Sequence, residues 1–487
     1  MPSRLAALIA WAGLAACTRA APEGEQGKRL KLEPCRVKGF GGEAQCGSLR
    51  VFEDRAARKG RELMLRVVVL PALAAEALPD PLFLLAGGPG QAAPEVVPPL
   101  ARALQPLRRA RDLVFVDQRG TGSSNKLDCK LLPKNAPLSE RFESRLEPEK
   151  LAGCARGLQA DPRLYSTPPA MDDLDDVRAA LGYQRVNLWG GSYGTRAALV
   201  YARQHPAHLR AMILDGVAPV SLRLPLFFAR DAQRSLDLML EQCESDPACK
   251  ARFPQLRTGF DKLLARLEAA PAKVRVDDPL TGDPVELEVT RRRFTDHLRG
   301  LLYVPELTAL LPLTIDRAAS GDFRPFVAQA DQATAVSDSV ALGMFLSVIC
   351  AEDVPFISAD ELDKAGVGSF LGGHAARELA LACKAWPRGE VPAGYREPVR
   401  SEAPALLLSG ELDPVTPPSW AEEALRTLPN GVHVIAPGVG HGVTSVGCMP
   451  ELVQRFLDQG SAKGLDAACM KSLRRPPFFL GFAGPQP

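Results

Sequence analysis

Val186-Asn187-Leu188-Trp189-Gly190-Gly191-Ser192-Tyr193-Gly194-Thr195 is the stretch on which the reading of this chain turns. A short apolar run breaks into glycines, and an alanine-rich helical pattern, Arg196 to Arg203, follows at once. The order reads as strand, sharp turn, helix. In such a turn a serine held in a strained backbone conformation presents its hydroxyl, and glycines two residues to either side let strand and helix approach. Gly190 and Gly194 hold those two places around Ser192. A glycine-rich turn without chemistry shows the same pattern, so the assignment needs a base, an acid and backbone donors elsewhere in the chain.

On the N-terminal side, wholly apolar short runs at Leu82–Ala86 and Leu113–Val116 read as strands buried on both faces, and Leu63–Leu70 as a leading strand. Helical patterns cover about Val96 to Arg109 and Ala170 to Leu181, and Ala211–Asp215 is a further strand after Ser192. Apolar strands that alternate with helices predict a mostly parallel sheet flanked by helices, with reactive groups at the carboxyl ends of the strands. After about Val220 the rhythm changes. Phe227–Cys243, Lys262–Ala269, Arg293–Leu302 and Ala341–Ala351 read as helices joined by polar connections such as Val276 to Glu288, which predicts an inserted, mostly helical cap domain. Strand-like runs resume at Ala405–Ser409 and Val432–Ala436.

The base is found by elimination among six histidines. His205 and His208 end the helix after Ser192, His297 lies in a charged helix, His374 in a glycine-rich loop of the insertion and His433 inside a strand. His441 stands in Gly438-Val439-Gly440-His441-Gly442, directly after the last sheet strand, where an imidazole reaches a serine at the strand ends. The acid is expected after the preceding strand, in Gly410-Glu411-Leu412-Asp413-Pro414-Val415-Thr416-Pro417, with Asp413 preferred for its depth in the turn and Glu411 in reserve. The chain order Ser192, Asp413, His441 is that of α/β-hydrolases. Oxyanion donors are expected from the Tyr193 amide and from Gly88 or Gly87 in the Gly87-Gly88-Pro89-Gly90 turn. Such a set needs neither cofactor nor metal. No Cys-x-x-Cys pair or nearby histidine suggests a metal site.

A net charge of +2 carries no signature of nucleic-acid binding. Arg4 and the apolar run Leu5 to Ala16 read as a signal peptide, and Leu14-Ala15-Ala16-Cys17 resembles the lipobox of bacterial lipoproteins. That resemblance implies cleavage before Cys17, lipid attachment there, and membrane contact in the bacterial cell envelope; Thr18 in place of an aspartate favours the outer membrane. An ordinary cleaved secretory signal is the alternative. Eleven cysteines less Cys17 leave ten, an even number that suits an oxidising compartment. Pairing sequence neighbours predicts Cys35–Cys46, Cys129–Cys154, Cys243–Cys249, Cys350–Cys383 and Cys448–Cys469. The expected layout is a signal over 1–17, a tether over 18–34, the first part of the core over 35–220, the insertion over 221–400, and the second part of the core with a C-terminal tail over 401–487.

Gly87-Gly88-Pro89-Gly90, Asp117-Gln118-Arg119-Gly120-Thr121-Gly122-Ser123, Gly190-Gly191-Ser192-Tyr193-Gly194-Thr195, Asp413-Pro414-Val415-Thr416-Pro417 and Gly440-His441-Gly442 together resemble the proline iminopeptidase and tripeptidyl aminopeptidase group of α/β-hydrolases. The secreted tripeptidyl aminopeptidase-like branch is the nearer match, through Cys350-Ala351-Glu352-Asp353 and Cys383 to Pro387, and the resemblance runs from about Cys35 to Cys469. Ala86 departs from it, standing where the family usually has histidine. The resemblance implies serine hydrolysis that releases single residues, proline-type residues or tripeptides from a free peptide N-terminus. Carboxylates must then hold the substrate ammonium, and Glu352 and Asp353 are the candidates. A carboxylesterase of the same fold, and a non-catalytic surface-binding protein, are the alternative functions. Nothing in the sequence indicates the oligomeric state.

Overall fold

The computed structural model describes residues 29–484 except 97–99, 101–102, 134–135, 144, 280 and 331–338. The expected signal, Cys17 and the first part of the expected tether lie outside the described residues. Eleven strands are found among those residues: β1 Glu33–Cys35, β2 Ala44–Phe52, β3 Glu62–Leu70, β4 Leu82–Leu85, β5 Leu113–Val116, β6 Val186–Gly191, β7 Leu209–Asp215, β8 Ala272–Asp277, β9 Pro284–Val289, β10 Ala405–Gly410 and β11 Gly431–Ala436.

Nine of them form one sheet in the order β1-β2-β3-β5-β4-β6-β7-β10-β11. The first three pair antiparallel, β3 meets β5 antiparallel, and every pairing from β5 to β11 is parallel. Apolar runs form the central strands because both faces are covered, so successive side chains enter two different cores. Phe83, Leu85, Val114, Leu188 and Leu214 join one, with Met171, Leu174 and Val177 of helix Thr167–Leu181 and the alanines of helix Tyr193–Gln204. Leu82, Leu84, Leu113, Phe115, Trp189 and Ile213 join the other, with Leu452, Val453 and Phe456 of helix Met449–Gln459.

Three sequence expectations need correction here. The tether to residue 34 ends earlier, because Leu30 donates its amide to Ala180 O at 2.8 Å and β1 pairs with β2. Of the helix expected over 96–109, the described residues show two short pieces, Ala93–Val96 and Gln105–Arg108. Prolines at 98, 99 and 106 lack the amides that a continuous helix needs. The connection Val276 to Glu288 belongs to an antiparallel hairpin, β8 with β9. Its alternation buries Val274, Leu287 and Val289 and leaves Lys273, Arg275, Glu286 and Glu288 in solvent. The residues between β7 and β10 otherwise form helices, among them Phe228–Ser245, Leu256–Ala269, Arg291–Leu301 and Leu342–Glu352. They pack around an aromatic core of their own, with Phe294 and Phe326 ring centres 4.6 Å apart.

The structure joins Cys35 to Cys46, Cys129 to Cys154, Cys243 to Cys249, Cys350 to Cys383 and Cys448 to Cys469, each closing a local loop. The Arg119 of the loop after β5 is fully buried and pairs bidentately with Asp173, at 2.7 and 2.9 Å, while Nη1 donates to Glu53 O and Leu164 O. This fixes the loop between the sheet and helix Thr167–Leu181. Asp173→Ala leaves that guanidinium buried without its carboxylate, and is expected to lower unfolding stability by about 3–5 kcal/mol, read from denaturant midpoints. A change below about 1 kcal/mol would contradict this role.

Candidate active site

Ser192 stands between β6 and helix Tyr193–Gln204 with φ 55° and ψ −122°, a positive φ that side chains other than glycine rarely adopt. Holding it costs about 1–3 kcal/mol, which the surrounding contacts must offset. Ser192 N donates to Asp215 O at 2.8 Å, and Thr195 turns both its amide (2.9 Å) and its hydroxyl (2.7 Å) to Ser192 O. The two flanking glycines are required by space. A Cβ on Gly190 would lie 2.3 Å from Gly194 O, and one on Gly194 would lie 2.2 Å from Leu85 O.

His441 lies in the loop after β11. Its Nδ1 is 2.7 Å from Asp413 Oδ2, in the loop after β10. Asp413 is fully buried and also accepts from the Val415 and Thr416 amides, both at 2.8 Å, and from Thr416 Oγ1 at 2.9 Å. Burial works to raise its pKa, but His441 and these donors win and hold it below the ordinary carboxylate value. For His441 burial works downward, and Asp413 with Asp215 overcomes it, so the imidazolium is favoured above its usual pKa. The reserve candidate Glu411 instead accepts the Gly438 amide at 2.8 Å and does not reach the imidazole.

Asp215, the last residue of β7, was not singled out from the sequence and links the two halves. Its carbonyl takes the Ser192 amide, while its carboxylate accepts from Val443 N, Thr444 N and Thr444 Oγ1 at 2.7–2.9 Å. The next residue, Gly216, has φ 69°, and a Cβ there would stand 3.1 Å from His441 Cε1. Ser192, Asp413 and His441 are thus gathered at the carboxyl ends of β6, β7, β10 and β11. The only sequence sign of Asp215 was its place at the end of a buried strand. Thr416 and Tyr303 were missed as well: Thr416 Oγ1 lies 3.2 Å from His441 Nδ1, and Tyr303 O accepts the His441 amide at 3.0 Å.

Gly87 faces the serine so closely that a Cβ there would sit 3.1 Å from Ser192 Cβ. Gly88 has φ 106°, and a Cβ on it would be 2.7 Å from Gly90 N. Among the described residues, no acceptor engages the amide of Gly88 or of Tyr193, the first residue of its helix. Both remain available to an oxyanion.

Glu352 and Asp353 are a correction. Both are fully buried. Glu352 accepts from Thr167 N (2.6 Å), Thr167 Oγ1 (2.9 Å) and Tyr395 Oη, and Thr167 Oγ1 also meets Tyr193 Oη at 2.6 Å. Asp353 takes Arg196 Nη1 on both oxygens, at 3.0 and 2.9 Å, and Arg396 at 3.1 Å. Burial raises both carboxyl pKa values against the pull of Arg196. They tie the insertion to the base of the elbow helix, and neither presents an oxygen to solvent.

The other histidines have other partners: His205 meets Asp172, His208 meets Asp175, His374 meets Asp296, His433 meets Ser409, and His297 stacks on Phe142. Asp175, His205 and His208 bring ligand atoms within 4.8 Å of one another. Arg178 and Tyr201 already occupy that carboxylate, and the guanidinium opposes a cation there.

The family described as TAP-like protein, Abhydrolase_4, matches residues 369–469, which include Asp413 and His441. The chain has the α/β-hydrolase fold. Over 95% of its length and 97% of the relative, it is 25% identical to serine protease Hip1 of Mycobacterium tuberculosis. It is 31% identical to the tripeptidyl aminopeptidase of Streptomyces coelicolor over 36% of the chain and 35% of the relative. To a probable proline iminopeptidase of the same species it is 32% identical, over 50% of the chain and 59% of the relative.

Glu352→Gln and Asp353→Asn are expected to act on the fold, lowering unfolding stability by about 1–3 kcal/mol. The KM ratio between free-amine and N-acetylated substrates should stay unchanged in both variants; a rise confined to free-amine substrates would restore the ammonium-binding role.

Proposed function

We propose that the chain is an exported serine exopeptidase that releases residues, singly, as proline-type residues or as tripeptides, from the N-termini of peptides. The observation that carries this reading is the Asp413–His441 hydrogen bond, held by Asp215 against the strained Ser192 turn. In this mechanism His441 takes the Ser192 proton as the hydroxyl attacks the substrate carbonyl, and Asp413 orients the ring and balances the imidazolium. The amides of Tyr193 and Gly88 receive the oxyanion, with Gly87 as the alternative donor. His441 then returns the proton to the leaving amine, and water releases the acyl group by the same steps reversed.

The peptidase reading draws on the names of the relatives: a serine protease aligned along nearly the whole chain, and two aminopeptidases aligned along parts of it. Export draws on the signal-like start of the sequence and on the five disulfides. Lipid attachment at Cys17, and with it membrane contact, is part of the proposal. No helix among the described residues is long and apolar enough to cross a membrane. The buried state of Glu352 and Asp353 favours a second reading, a carboxylesterase, since those residues no longer supply an ammonium site.

Hydrolysis of aminoacyl and tripeptidyl anilides with free and with acetylated amines separates the two, against p-nitrophenyl esters. Faster cleavage of the free-amine anilides is expected, and cleavage of esters alone would favour the esterase. Ser192→Ala should reduce kcat by about 10⁴-fold or more. His441 acts as base only when neutral, and its pKa is raised, so kcat/KM should climb with pH along a limb centred above about 6.5. A limb centred below that value would contradict the Asp413 contact.

A further inference from the structure

Arg299, in the last turn of helix Arg291–Leu301, stands close to the proposed base. Its guanidinium lies over the Phe228 ring, 4.2 Å from the centroid, and Nη2 donates to Tyr303 Oη at 3.2 Å. Tyr303 in turn packs edge-on against His441, with 5.3 Å between ring centres, and its carbonyl holds the His441 amide. The cation is therefore one tyrosine ring from the imidazole.

Two other arginines of the same helix are neutralised: Arg291 pairs with Glu268, and Arg292 with Asp296 and Glu378. Among the described residues, no carboxylate lies within ion-pair distance of Arg299, and its Nε is buried without a hydrogen-bond partner. The Phe228 face and the Tyr303 hydroxyl hold the head in place but do not cancel its charge. That charge opposes protonation of His441. A base that becomes cationic in the transition state is hindered by a fixed cation beside it, unless the substrate brings the opposite charge.

We infer that Arg299 binds a substrate carboxylate, so that the enzyme favours peptides presenting an acidic group next to the scissile bond. The planar fork of an arginine suits a carboxylate, and the Tyr303 hydroxyl, which accepts from Arg299, keeps its own proton to donate beside it. The carboxylate has two possible sources: an acidic side chain on the leaving side, or the C-terminus of a short peptide. Because it both binds and cancels the field at His441, it should raise kcat as well as lower KM. The inference rests on the proposed roles of Ser192 and His441.

The test compares two substrate pairs on the full-length protein. One pair differs only in Glu against Gln after the cleaved bond, the other only in a C-terminal acid against its amide. At least one pair should favour the carboxylate member by about 10- to 100-fold in kcat/KM, and the pair that responds identifies the source. In Arg299→Gln the ratio should fall to near one, and in Arg299→Lys, which keeps the charge but not the fork, it should lie between. Ratios near one in the wild type overturn the inference, whether or not the variants fold, as does an unchanged ratio in Arg299→Gln. A neutral p-nitrophenyl ester separates the two levels of failure. If the wild type hydrolyses it but shows no charge preference, the carboxylate site alone fails; if it hydrolyses neither ester nor peptides, the hydrolase reading fails first.

Discussion

Asp215 performs two tasks with one residue, and the geometry of the site depends on their being joined. Its backbone carbonyl holds the amide of Ser192 and so helps to keep that residue at a positive φ. Its carboxylate, buried at the end of β7, binds the two amides and the hydroxyl that follow His441 and fixes the base loop to the same strand end. A buried carboxylate satisfied by several donors is rigid as well as costly to disturb. The nucleophile turn and the base loop arrive from places in the chain more than two hundred residues apart. A shared anchor limits how far their relative position can drift, and drifts of an ångström matter to catalysis.

The insertion is more than a cover over the strand ends. Tyr303 supplies the acceptor for the His441 amide, and a Cβ on Gly440 would lie 2.4 Å from that same oxygen, so the glycine before the base is required by the insertion itself. Ala341 pairs with Gly90 in the Gly87–Gly90 turn, and Glu352 reaches Tyr193 through Thr167. The His441 loop, the Gly87–Gly90 turn and the elbow helix are each tied to it. Under the proposed mechanism, changes in the insertion would therefore bear on turnover as well as on substrate choice, since they would move the groups assigned to the reaction.

Much of this was legible in the sequence because local chemistry dictated it. Buried parallel strands need unbroken apolar runs, and Leu82–Leu85, Leu113–Val116 and Ala405–Leu408 have them. A nucleophile turn needs small residues around one serine, and acid and base loops follow defined strands, which led to Asp413 and His441. The hairpin β8–β9 was also written in its alternation and was passed over because its exposed face is so highly charged. Glu352 and Asp353 were misread because a carboxylate pair at a helix end looks the same whether it faces a ligand or a buried arginine. Arg196, the partner that decides, is more than 150 residues away. Asp215 and Tyr303 act through contacts that only the folded chain creates, one through a strand end and the other through a backbone carbonyl, for which no side-chain pattern exists.

The central claim is that Ser192 is an activated nucleophile. A fluorophosphonate reacts with a serine only where a base and oxyanion donors assist it. The direct measurement is intact-mass and peptide-level mass spectrometry of the purified protein after such labelling. The account predicts one adduct per chain, located on the peptide that contains Ser192 and lost when His441 is replaced by alanine. An unlabelled protein, or an adduct on another serine, would contradict it.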